Sequence, residues 1–136
     1  MSNKKIKELE NKLSEINDKV LALNNESFDL QQSLMVEQQE HLKVLVGKYV
    51  RRNNDIFKII GVPEIVRTSN QPYFTFSPSH LPVVRLSNVE IEKTTIFSRA
   101  YLYDDPLAQL YEEFCICSEE HFKRRLENIK EHWLKI

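Results

Sequence analysis

Apolar residues recur at alternating intervals of three and four through the first thirty-odd residues, and no Gly or Pro occurs before Gly47. With Ile6 at position a of a heptad, the a positions are Ile6, Leu13, Val20, Ser27 and Leu34, and the d positions are Leu9, Ile16, Leu23 and Leu30. Eight of these nine are apolar, while the outward positions are almost all Lys, Glu, Asn, Asp or Gln. That is the pattern of a coiled-coil helix. The next d is Glu37 and the next a is His41, so the seam ends near Leu34. A helix over residues 1–41 would be roughly 60 Å long. A small domain does not cover that length, so copies of the same chain are expected to bury the seam. Ile6 at a with Leu9 at d favours dimers, whereas Leu13 at a with Ile16 at d favours larger assemblies. A parallel dimer is the favoured expectation, with trimer and tetramer open.

After His41 the pattern shifts to period two and β-branched residues. Strands are expected at 44–52, with Gly47 as a bulge, and at 56–60, 64–68, 73–76, 83–86 and 89–101. Asn53-Asn54-Asp55 reads as a hairpin turn. Loops at 69–72 and 77–82 are polar and carry prolines, as ordered recognition loops often do. Asp104-Asp105-Pro106 opens one helical turn through 107–112, and 113–117 alternates as a short strand. Ser118 is a good N-cap for a last helix over 118–136, with Glu119 and Glu120 favouring its dipole. Phe122, Leu126, Ile129, Trp133 and Ile136 share one face of it, expected to cover the sheet. The expected fold is α+β. A coiled-coil oligomerisation helix (1–41) precedes a small antiparallel β-barrel or curved sheet (42–136), closed by the C-terminal helix.

From Val46 onward the chain resembles a class of small proteins from phages and mobile elements. The matching residues are Val46-Gly47-Lys48-Tyr49, Phe57-Lys58-Ile59-Ile60-Gly61-Val62 and Phe114-Cys115-Ile116-Cys117-Ser118-Glu119-Glu120-His121-Phe122. The resemblance covers most of 46–136, and its motifs are strands, turns and a cap. It implies an SH3-like barrel and a phage or prophage origin, and it implies no catalytic residues.

Charge changes the picture in one respect. The net charge of the chain is −1, but residues 1–41, 42–99 and 100–136 carry −3, +5 and −3. Anions would be steered to the middle. There Lys48, Arg51, Arg52 and Lys58 flank the first hairpin, and Arg67, Arg85 and Arg99 come from later strands. Tyr49, Phe57, Tyr73, Phe74 and Phe76 interleave with them, a combination that suits nucleotides or single-stranded nucleic acid. Strand alternation sets Tyr49 and Arg51 on one face and Arg52 on the other, so these cations are not all expected to converge.

No nucleophile elbow, zincin motif, P-loop or dinucleotide fingerprint occurs. Cys115 and Cys117 are expected to fill core space in a reducing compartment, and neither a metal site nor a cofactor is expected. No run approaches the ~20 apolar residues of a membrane span. The expectation is therefore a non-enzymatic, homo-oligomeric binding protein in the cytoplasm of a bacterial host. By analogy with the phage-like class, it would block or sequester a host protein such as an antiviral-defence factor. Direct binding of nucleic acid or a nucleotide signal, and a structural role in a virion, are the alternatives.

Overall fold

The computed structural model describes residues 3–67 and 74–135. The N-terminal pattern forms one helix, α1 (Asn3–Leu42), followed by a 3-10 turn at Lys43–Leu45. Then come β1 (Tyr49–Arg52), β2 (Asp55–Ile59), β3 (Val66–Arg67), β4 (Phe74–Thr75), β5 (His80–Leu86) and β6 (Ile91–Phe97). A second 3-10 turn (Ala100–Leu102), α2 (Pro106–Glu113), β7 (Cys115–Ile116) and α3 (Glu119–Leu134) complete the chain. The α+β class is as expected, with a long first helix, an antiparallel sheet and a C-terminal helix.

The sheet has five antiparallel strands in the order β6-β5-β2-β1-β7. It is open: among the described residues β6 and β7 do not pair, so the expected SH3-like barrel is not closed. The segment that would have supplied a further wall pairs with itself instead. Val66 lies opposite Thr75 and Arg67 opposite Phe74, in a separate two-stranded ribbon.

Alternation divides the core between the two faces of the sheet. On one face, Leu42 at the end of α1 and Leu45 of the following 3-10 turn, together with Leu110 of α2, pack on Val50, Phe57, Ile59, Leu81 and Val83. On the other, Phe122 and Ile129 of α3 pack on Ile56, Leu86 and Cys117, with Tyr49, Val84 and Leu126 at the margin. The register explains the split, because Tyr49 pairs with Lys58 and Val50 with Phe57.

Several boundaries differ from expectation, each for a local reason. Residues 44–48 are not strand. Leu42 and Leu45 are both fully buried and keep helical spacing into the core. Gly47, at φ 83°, donates its N–H to Ile59 O at 2.7 Å while Ile59 N donates to Lys48 O, so Gly47 and Lys48 together face Ile59 as the expected bulge, at the entry to β1. The Asn53-Asn54 turn is present, with Asn53 at φ 55°. β5 begins at His80, before the expected start at 83, and runs through Pro82, whose carbonyl accepts from Ile60 N at 3.0 Å. The expected strand at 89–101 starts late because Ser87 Oγ accepts from Val89 N and Glu90 N and holds a turn there. It ends early in the second 3-10 turn.

Asp105 caps α2 by accepting from Ala108 N, and the helix has eight residues, longer than the expected single turn. Its last residue is Glu113, which leaves only Cys115–Ile116 as strand. Ser118 caps α3 as expected, accepting from His121 N at 3.1 Å. Of the two cysteines only Cys117 is in the core; Cys115 is exposed. Trp133 lies on the expected face of α3 but is 58% exposed, tethered through its indole N–H to Val89 O. Ile136 and residues 68–73 lie outside the described residues.

Candidate functional site

The most extended surface feature is the a/d stripe of α1. Ile6, Leu9, Leu13, Ile16, Val20, Leu23, Leu30 and Leu34 are 39–64% exposed, and Ser27 between them is exposed too. The helix meets the rest of the molecule on a neighbouring face. Met35, Gln38, Gln39, His41 and Leu42 are the buried or half-buried positions at its end, and Gln39 Nε2 donates to Pro63 O at 2.9 Å. At 100° per residue these positions centre roughly 50° round the helix from the stripe, so the two faces adjoin. The seam stops where the body begins, since His41 Nε2 lies 2.6 Å from Tyr103 O. At Ser27 the stripe is hollow. A depression of about 370 Å³ is lined by Leu23, Glu26, Ser27, Leu30, Gln31 and Leu34.

The basic and aromatic residues do not form one surface. On the α3 side, Tyr49 packs on Phe122 with ring centres 5.1 Å apart, and Lys58 Nζ sits 5.7 Å from the Tyr49 ring. Arg51 is exposed on that side, opposite Ile56. On the other side, the Arg52 guanidinium lies 4.0 Å from the Phe114 ring centre. Arg85 is held by Asp55 at 3.1 Å and Glu92 at 2.6 Å, and both partners push its pKa up. Lys48 is half-buried in the turn before β1, where its carbonyl accepts from Ile59 N. The Arg99 backbone N–H donates to the Glu113 carboxylate, while its side chain is exposed. Phe76 is half-buried after β4. Arg67 contributes backbone to β3; its side chain, and all of Tyr73, lie outside the described residues.

Two arrangements had no clear sequence signal. One is an apolar groove of about 510 Å³ between the chain after β2 and the start of β5, where Ile60, Val62, Pro63, Val66, Pro82 and Thr95 form much of the wall. The other sits on its rim: Ser77 Oγ is 2.7 Å and Ser79 Oγ 3.1 Å from His80 Nδ1. A Ser–His contact needs a group that orients the ring through its second nitrogen to act as a nucleophile pair. Among the described residues no carboxylate holds His80 there, and the contact reads as turn chemistry closed by His80 N donating to Ser77 O. Also among the described residues, no three His, Cys, Asp or Glu side chains gather as metal ligands, and no helix is long and apolar enough to cross a membrane.

Burial raises the pKa of the Cys117 thiol, and nearby Arg125 and Arg51 offset this only in part. That environment opposes thiolate formation rather than preparing a nucleophile. Comparison with known proteins gave no match to any family model, curated protein or solved structure.

Proposed function

We propose that the protein is a self-assembling, non-enzymatic binding protein, in which α1 multiplies an α+β body that carries the recognition surface. The observation behind this reading is the apolar stripe of α1, which stays exposed along the length of the helix. Covering eight half-exposed aliphatic side chains is worth on the order of 10 kcal/mol per helix before the entropy of association is subtracted. The division of the cations between two sheet faces, with Arg85 already held by two carboxylates, gives less support to a nucleic-acid reading.

On the body, the groove beside Pro63 and Pro82 is the surface assigned to the partner, because it is concave and mainly apolar with a polar rim at Ser77 and His80. Following the phage-like resemblance, that partner is taken to be a host protein, a component of an antiviral defence system being the leading case.

Light scattering of the full chain tests the assembly. The wild type is expected as an oligomer, and Leu13→Asp with Leu23→Asp as a monomer whose body still melts cooperatively. Thr95→Arg, which places a long side chain at the groove wall, is expected to leave assembly intact and to abolish capture of the host protein. A monomeric wild type would refute the reading.

A further inference from the structure

We infer that α1 pairs antiparallel with α1 of a second copy, with Leu9 of one chain level with Leu34 of the other; the inference rests on the self-association proposed above. Three observations on the helix point the same way.

The first is charge. Residues 3–12 carry Lys4, Lys5, Lys7 and Lys12 against Glu8 and Glu10, a net +2, and residues 31–40 carry Glu37 and Glu40, a net −2. A parallel, in-register pair sets +2 beside +2 and −2 beside −2. An antiparallel pair sets each end against its opposite, and also opposes the two helix dipoles favourably. The segment between these ends, 13–30, faces itself in either arrangement and does not discriminate.

The second is shape. In a parallel pair Ser27 faces Ser27, and the hollow bounded by Leu23, Leu30 and Leu34 would meet its own image and leave a void. In the antiparallel pair a positions face d positions. Leu9 then faces Leu34, Leu13 faces Leu30, Ile16 faces Ser27 and Val20 faces Leu23. A branched aliphatic side chain fills the hollow, and every layer from Leu9 to Leu34 contains at least one large apolar group.

The third is the position of Ile16. A β-branched residue at d is poorly suited to a parallel dimer. Opposite a serine it has room. The neighbouring register, with Leu9 level with Ser27, would also align a with d, but it leaves Leu34, 58% exposed, without a partner. The chosen register leaves only Ile6, which at 39% is the least exposed of the stripe.

Disulfide trapping tests the arrangement. In full-length chains carrying Cys115→Ser and Cys117→Ser, Leu9→Cys and Leu34→Cys are prepared separately and mixed under mild oxidation. The expected product is the mixed Leu9–Leu34 dimer, with neither variant cross-linking to itself. Self-linkage of either variant would overturn the antiparallel orientation. A Leu9→Cys chain that instead links to a Ser27→Cys chain would overturn the register.

A second measurement leaves the seam untouched. Spin labels on the exposed Cys115 of a Cys117→Ser chain should lie far apart, on the order of 60 Å for bodies at opposite ends of the paired helices. A separation of a few tens of ångströms would overturn the proposal. If light scattering shows a monomer, the self-association reading itself falls; an oligomer that fails these tests removes only the orientation.

Discussion

At the scale of single residues, the two cysteines show how one strand separates neighbours. Cys115 is exposed opposite Arg51 on the edge strand β7, and Cys117 is buried against α3. Two positions apart, both were expected inside, because an alternating strand of five residues would turn them to one face. The strand has only two residues, since α2 takes Glu113, and the chain turns toward Ser118 directly after it. One thiol of the folded chain is therefore expected to react promptly with a maleimide and the other only on unfolding, with the prompt site mapping to Cys115. The raised pKa of Cys117 has a sign for stability. The unfolded chain releases that proton at lower pH than the folded one. The contribution is therefore complete below the ordinary thiol range and is lost as pH rises through it. Chemical denaturation at increasing alkaline pH should show this loss, reduced in Cys117→Ala.

At the scale of elements, periodicity decided what was legible. Long periodic runs, α1 and α3, were readable from spacing alone, and so was the Ser118 cap. The 44–52 run was misread because Val44, Val46 and Val50 have strand composition, while the buried pair Leu42 and Leu45 continues the helical spacing instead. Pro82 hid the first half of β5, and the side chain of Ser87 hid the turn before β6. The groove at Pro63 and Pro82 was invisible because its walls come from segments brought together only by the pairing of β2 with β5. The stripe on α1 was legible residue by residue, because a seam is a property of one helix and needs no tertiary information. These elements also predict where the chain can be cut. Removing residues 3–34 should leave a folded body, since its core begins at Leu42. Leu42→Ala should lower the stability of that body by about 2–5 kcal/mol, read from urea midpoints, and a cut beyond residue 45 should prevent folding.

At the scale of the whole molecule, α1 and the body share a core rather than being joined by a linker. Leu42 is both the last residue of the helix and a fully buried member of the sheet's core, and Leu45 follows one turn later. The body is therefore fixed in azimuth on its helix, like a blade keyed to a shaft. Each residue added between 34 and 35 turns it by about 100° and advances it by about 1.5 Å. A one-residue insertion there should preserve assembly measured by light scattering and weaken partner capture, because paired grooves no longer face the same geometry. A seven-residue insertion returns the body to within roughly 20° of its original heading and should restore much of that capture. In the assembly proposed above, helical phase thus sets which spatial pattern of targets the paired surfaces can engage at once.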